Sequence, residues 1–321
     1  MALLIMGAGR VGAQMARIEV ERGEKPIIFD VAPQVGALSD ILDPQAVTLV
    51  PGDILNPLEI AATIRREAPT AIIHTVAYPL LTVGAQRNTY PAVVLNIVGT
   101  LNVLEAARLF GVERVVFCSS SQMYSSMSGG ADRGAPGTEE AYPRPSTFYA
   151  ATKQAGEDLG LNYARWYGLD FRTVRFCAVF GPWSGRDGGT TLFFRQLVQQ
   201  SLQGEEVTIP DDGPRDIVYS KDAALGAVLA ARVAGVKSRI FNIGMGRQYS
   251  GKEIAEAVSN AIPQARVRLV PPDEAVGDRT VLDRAPDIAR AKNELGYEPQ
   301  YLLQAALQDL VQFYSQKGRG R

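Results

Sequence analysis

Short runs that are apolar on nearly every residue alternate with longer amphipathic stretches through the first half of this 321-residue chain. The runs predict strands at 2–6, 26–30, 46–50, 71–76, 114–118 and 170–176, and the stretches between them predict helices near 11–22, 57–67, 89–110 and 146–168. A run such as Arg114-Val115-Val116-Phe117-Cys118 has no polar side to give to water, which suits a strand covered on both faces. Strand and helix in regular alternation predict an α/β fold, a Rossmann-like doubly wound parallel sheet. Ligands of such a sheet lie at the carboxyl ends of its strands, where Gly7 to Gly12, Asp30, Asp53, His74 to Ala77 and Ser119 to Ser121 all fall.

The rhythm changes after about residue 177. A long loop at 180–189 precedes a helix at 191–203 and a short strand at 206–209. Arg239-Ile240-Phe241-Asn242-Ile243-Gly244 reads as a buried strand able to return to the main sheet. The stretch 250–321 reads as helical apart from a strand at 266–270. The expected division is a dinucleotide-binding domain of 1–176 plus 218–248, and a smaller, non-contiguous substrate lobe of 177–217 and 249–321. The Gly/Pro/Ser-rich stretch 128–145 reads as a mobile loop directly before the helix at 146–168.

Composition narrows the class. With 46% hydrophobic and 21% charged residues and a net charge of −1, the chain has no basic excess for nucleic acid. No apolar stretch reads as membrane-spanning, and the opening apolar run is too short for a signal sequence, so a cytoplasmic protein is expected. Cys118 and Cys177 fall in buried strands and read as core thiols in a reducing compartment. His74 is the only histidine, which excludes a multi-histidine metal site; as a strand-end residue it reads as structural.

Two motifs carry chemistry. Gly7-Ala8-Gly9-Arg10-Val11-Gly12 follows an apolar run and opens a helical stretch, the context in which G-x-G-x-x-G binds a dinucleotide. Its glycines make the tight turn and admit the pyrophosphate, and the helix amides bind its charge. Asp30 ends the second strand about twenty residues further on, where a carboxylate accepts from ribose hydroxyls and repels a 2′-phosphate, favouring NAD over NADP. Tyr149 and Lys153 share one helical face at i and i+4. A cation beside a phenol stabilises phenolate and makes it a usable acid or base near neutral pH.

Together these motifs resemble the extended short-chain dehydrogenase/reductase family, the group of NAD-dependent sugar epimerases and dehydratases. The similarity extends through Gly52-Asp53-Ile54, Ile73-His74-Thr75-Val76-Ala77, Asn96-x-x-Gly99-Thr100-x-Asn102, Ser119-Ser120-x-x-x-Tyr124, Arg175 with Gly181-Pro182, Arg215-Asp216-Ile217-Val218-Tyr219 and Glu294-Leu295-Gly296-Tyr297-x-Pro299. It implies that Tyr149 exchanges a proton with a substrate hydroxyl or carbonyl, that Lys153 holds the nicotinamide ribose and depresses the Tyr149 pKa, and that Ser120 hydrogen-bonds the same substrate oxygen. Alignment on Tyr124 selects Ser120 over Ser119 and Ser121, which read as strand-end serines. It further implies cofactor contacts from Gly7, Gly9, Arg10, Val11, Gly12, Asp30, Asp53, Ile54, Val76, Ala77, Asn96 and Phe176, substrate contacts from Gln122 and Arg215, and a homodimer paired through the helices near 91–110 and 148–167. Val94, Val98, Leu101, Leu159 and Tyr163 lie on those two helices.

Departures from the family pattern narrow the reaction. Ser121 and Gln122 stand where the dehydratases carry acids, which disfavours dehydration. Ala178 stands where nucleotide-sugar epimerases have an Asn at the diphosphate, and 271–283 lacks a clear second phosphate-binding Arg, with Arg279 near that position. The expected activity is NAD-dependent oxidation of a secondary hydroxyl on a sugar or small hydroxy compound, as an epimerase or a dehydrogenase, no metal being involved. The alternative is a non-catalytic NAD-sensing protein, against which the intact Ser-Tyr-Lys set argues.

Overall fold

A computed structural model describes residues 1–78, 81–124, 137–185, 189–211, 213–271 and 285–318. Its strands in chain order are β1 (Leu3–Met6), β2 (Ile27–Asp30), β3 (Thr48–Pro51), β4 (Ala71–His74), β5 (Arg114–Ser120), β6 (Asp170–Phe176), β7 (Ala178–Phe180), β8 (Glu206–Pro210), β9 (Arg215–Tyr219), β10 (Ile240–Ile243), β11 (Gln248–Tyr249) and β12 (Arg266–Val270). Seven of them form one sheet in the order β10-β6-β5-β4-β1-β2-β3, every pairing parallel. The order reverses between β1 and β4, so the crevice at their carboxyl ends is the expected ligand position of a doubly wound sheet.

The apolar runs are buried on both faces as their sequence demands. On one face Ile5, Ile28, Ile73, Val116 and Val174 pack with the helices Arg10–Glu21 and Ser220–Arg232. On the other, Leu4, Phe29, Ile72, Val115 and Phe171 pack with Pro57–Glu67, Gly99–Leu109 and Phe148–Tyr167. A third core joins Phe180, Phe194, Ile209, Ile217, Ile254, Leu307 and Tyr314 around two small sheets, β11-β9-β7 and β12-β8.

Several boundaries differ from the sequence reading. β3 starts at Thr48 because Pro44–Ala46 forms a 3₁₀ turn capped by the Asp43 side chain. β5 runs on to Ser120, two residues past the expected end, and β4 stops at His74. The short strands β7, β9 and β11 and the helices Leu81–Arg87 and Ser220–Arg232 were not anticipated. Residues 288–297, assigned from sequence to the smaller lobe, send Ile288, Ala291, Leu295 and Tyr297 into the first core of the large sheet. The reading that no stretch is membrane-spanning is also corrected. Thr89–Leu109 is one helix, long and apolar enough by length and composition to cross a membrane, because Pro91, Asn96 and Asn102 interrupt its apolar run without lowering its average much. Val103, Leu104, Ala106 and Ala107 on this helix are buried in the core.

Candidate active site

The glycine loop connects β1 to the helix Arg10–Glu21, and each glycine meets a different demand. Gly7 has φ +108° and would bring a Cβ within 3.1 Å of Thr75 Cγ2. A Cβ on Gly12 would lie 1.9 Å from the Gly7 carbonyl oxygen, so the helix can pack onto the turn only with glycine there. Gly9 is different: a Cβ there would meet no atom of the described residues within 4 Å, so nothing in their packing requires glycine. Gly9 is the N-cap of a helix without a side-chain cap, whose amides and dipole favour an anion. Asp30 at the end of β2 accepts from the Ala8 amide at 2.7 Å and the Ala32 amide at 2.8 Å, which fixes its carboxylate beside the loop. Asp53 accepts from Leu55 N at 2.9 Å, and Ile54 is buried under Gly99. These features fit a dinucleotide: a cradle of small residues, a helix N-terminus for the pyrophosphate, and a fixed carboxylate for a ribose.

The helix Phe148–Tyr167 begins where Thr147 Oγ1 accepts from Ala150 N at 3.1 Å, and ends at Gly168 in the left-handed conformation (φ +72°). Tyr149, Lys153, Gly156, Glu157, Gly160 and Ala164 form its buried face, turned to the sheet. A Cβ on Gly156 would lie 2.5 Å from Phe117 Cζ, and one on Gly160 only 2.0 Å from Phe171 Cζ, so these two glycines let the helix approach β5 and β6. That approach carries Tyr149 and Lys153 to the end of β5. Tyr149 packs with Ala85, Ala92, Ala77 and Tyr78 and lies near enough to Ser120 for that hydroxyl to favour its phenolate. The Lys153 ammonium donates to the Cys118 carbonyl at 2.7 Å and lies 4.7 Å from the Phe117 ring centre.

Burial pushes the Tyr149 phenol up from its ordinary value, and the Ser120 hydroxyl opposes this only in part. The Lys153 ammonium, held by the Cys118 carbonyl, lies 5.8 Å from the Tyr149 ring centre. Lys153 itself is pulled down to about 8 by burial, with the Cys118 thiol and Glu157 opposing the shift.

Other sequence-predicted residues have protein partners. Asn96 lies in a π-helical turn, accepts from Tyr78 N at 2.8 Å and donates to Thr152 Oγ1 at 2.9 Å. Both ends of its amide therefore tie the segment after β4 to the Tyr149 helix. Gln122 Oε1 accepts from Thr82 Oγ1 at 2.9 Å, and Arg10 donates to Thr191 across to the smaller lobe. Val11 and Val76 are partly buried against the two cores, Ala77 flanks Tyr149, and Phe176 ends β6 opposite Ser120. Arg215 opens β9 with its guanidinium 5.2 Å from the Phe193 ring centre. His74 is structural as expected: its Nε2 contacts Thr100 Oγ1 at 3.0 Å, and burial pulls it down to about 3. Cys118 and Cys177 are buried free thiols. Residues 128–136 of the expected mobile loop, and Arg279, lie outside the described residues.

Sequence reasoning missed a polar network behind the pair. Arg175 on β6 forks onto Glu157 (2.7 and 3.0 Å) and donates to the Tyr124 hydroxyl at 2.6 Å, and Tyr124 donates to Asn242 Oδ1 at 2.8 Å. The Arg175 and Tyr124 motifs were visible, but Asn242 had no signal beyond a polar residue in an apolar run, and Glu157, in a polar stretch of helix, had none. A second missed pair is Asp216 and Cys177, buried together, with the carboxyl pushed up to about 8 by burial.

Comparison with known proteins agrees with this geometry. The family model described as NAD dependent epimerase/dehydratase matches residues 3–244. The chain is 31% identical to UDP-glucose 4-epimerase of Mycolicibacterium smegmatis, over 84% of this chain and 83% of that protein. Among solved structures, UDP-glucose 4-epimerase of Thermus thermophilus in complex with NAD is 26% identical, with a TM-score of 0.81 and coverage of 98% of this chain and 99% of that one. An L-threonine dehydrogenase from Cupriavidus necator in its holo form is 25% identical, with a TM-score of 0.81 and coverage of 97% and 99%. The chain therefore belongs to the NAD-dependent epimerase/dehydratase family of extended short-chain dehydrogenase/reductases, and is an NAD-dependent enzyme of that kind.

Proposed function

We propose that this enzyme oxidises a secondary hydroxyl of a sugar or small hydroxy compound through Ser120, Tyr149 and Lys153, as an epimerase or a dehydrogenase. The observation that carries the reading is the convergence of buried Tyr149 and Ser120 at the carboxyl end of β5, with Lys153 buried one helical turn from Tyr149. Gly7, Gly9, Gly12 and the amides of Arg10 and Val11 hold the pyrophosphate, and Asp30 holds the adenosine ribose. Bound NAD supplies hydride acceptance and, through its cationic ring, a field that favours phenolate nearby.

The chain's own residues handle the proton. Tyr149 Oη takes it from the substrate hydroxyl, and Ser120 Oγ donates to the same oxygen as its charge changes. One of the three ammonium protons of Lys153 is spent on the Cys118 carbonyl, which fixes the side chain and leaves two for ribose hydroxyls. Dehydration needs a carboxyl group beside the substrate. The turn Ser121–Tyr124 has none, with Ser121 buried and Gln122 held by Thr82. Oxidation without elimination is therefore favoured.

The relatives named as UDP-sugar epimerases and as a threonine dehydrogenase define the substrate panel. NAD-loaded protein is incubated with UDP-glucose, UDP-glucuronate and L-threonine, following NADH absorbance and the configuration of the product. Epimerisation leaves NADH flat while the sugar changes configuration, and dehydrogenation gives net NADH. Tight NAD binding with no chemistry on this panel or on a wider panel of secondary alcohols would overturn the proposal.

A further inference from the structure

We propose that Arg175 is a positioning residue for the reaction, a buried hub that locks the Ser120 turn to the helix of Tyr149 and Lys153 through the Tyr124 hydroxyl and the Glu157 carboxylate. The inference rests on the roles assigned above to Ser120, Tyr149 and Lys153. Arg175 is 2% exposed and pairs in register with Ser119, so its side chain leaves β6 beside the strand that ends in Ser120. One edge of its guanidinium meets Glu157, Nε on Oε1 at 3.0 Å and Nη2 on Oε2 at 2.7 Å. Glu157 lies one helical turn beyond Lys153 on the same buried face, so Tyr149, Lys153 and Glu157 form a single line of i, i+4 and i+8 positions. Its charge also favours the ammonium form of Lys153.

The other edge of Arg175 meets the Tyr124 hydroxyl at 2.6 Å and the Glu139 carbonyl at 3.3 Å. Tyr124 closes the 3₁₀ turn Ser121–Tyr124 that starts immediately after Ser120. A guanidinium only donates, so the Tyr124 oxygen accepts from Arg175 and its single proton goes on to Asn242 Oδ1. Asn242 in turn donates to the carbonyls of Gly137 and Asp287, and the Glu139 carboxylate accepts from its backbone amide. The arrangement leaves each polar group one orientation. A buried ion pair adds little stability over an apolar pair of the same size, whereas a planar, bidentate fork fixes direction. Here that fork aims at two elements that the reaction must hold in register.

Arg175→Ala risks misfolding by leaving Glu157 buried without its partner, so the test uses Tyr124→Phe, which removes one hydroxyl and keeps the ion pair. Hydrogen exchange is followed by mass spectrometry on the NAD-loaded full chain. Loss of one hydrogen bond at a single anchor should speed exchange of residues 119–124 about tenfold, while β1 to β4 stay unchanged. Turnover on the substrate found by the panel should fall by a similar factor at unaltered KM. Arg175→Lys, which keeps the charge but loses the fork, should speed exchange in both 119–124 and 148–157, and Glu157→Asp should retain more activity than Glu157→Gln. Unchanged exchange at 119–124 in Tyr124→Phe, or equal acceleration across the whole sheet, would overturn the hub. Full turnover in Tyr149→Phe would instead overturn the relay reading, and leaves the exchange pattern as it was.

Discussion

Tyr149 and Asp216 are both buried ionisable groups held in their neutral forms, one at the centre of the proposed chemistry and one beside Cys177. The Tyr149–Lys153 spacing was legible because a helix converts four residues into one face. The tie of Lys153 to the Cys118 carbonyl was not, because no pattern announces it. Asp216 gives a test of this burial. Its folded value is raised to about 8 against an ordinary value of about 3.9, so the stability it contributes is complete below the unfolded value and is lost as pH rises through about 8. Asp216→Asn removes that decline. Urea denaturation should show the variant gaining on the wild type between pH 5 and 8, by up to about 1.4 kcal/mol per pH unit; a constant gap over that range would mean that Asp216 is ionised in the fold. Asp30 gives a second test. Its fixed carboxylate opposes a 2′-phosphate, so calorimetry should find NAD bound far more tightly than NADP, and Asp30→Ala should narrow the difference. Equal affinities in the wild type would remove that role.

At the scale of elements, the sequence was clear where a helix had end signals and a strand had a long apolar run. The Tyr149 helix has both, with Thr147 before it and Gly168 after it. It was opaque at β7, β9 and β11, two to five residues each, too short to show alternation. Ser220–Arg232 was missed for another reason: its buried residues include several alanines, whose small side chains give little periodic contrast. Gly156 and Gly160 were read only as helix residues, since close approach of helix to sheet depends on the partner rings Phe117 and Phe171. Gly160→Ala should cost roughly 1–3 kcal/mol in urea denaturation, the range for an overpacked interface, because its Cβ would fall 2.0 Å from Phe171. A neutral result would mean that the helix stands further from the sheet. Gly9→Ala should behave in the opposite sense, keeping stability while weakening NAD.

For the whole molecule, regular alternation of strand and helix made the doubly wound sheet legible from end to end, including the return of β10 to its edge. The course of 288–297 back onto the large sheet was not, because it rests on contacts distant in sequence. Assembly follows from what the fold leaves uncovered. Leu159 and Tyr163 pack on the core, but Val98, Leu101 and Leu109 on one helix, Phe110 just past its end, and Trp166 and Tyr167 at the end of its neighbour are exposed. We propose that this face pairs with a second copy, since an apolar patch of two adjacent helices suits a two-fold interface. Light scattering at micromolar concentration should give the mass of a dimer, and Val98→Glu with Leu101→Glu should give a monomer; a wild-type monomer would contradict the pairing.

The central claim is that Tyr149 moves the substrate's proton. Tyr149→Phe removes one hydroxyl and keeps the ring that packs against Ala85 and Ala92, so folding and NAD binding should persist. Ser120→Ala should lower turnover by a similar order, and the neighbouring buried Ser121→Ala should cost little. The deciding measurement is kcat of Tyr149→Phe on the substrate found by the panel, with NAD affinity measured on the same preparation. A loss of at least about 10²-fold at unchanged NAD affinity is the predicted result; near-full turnover would contradict the mechanism.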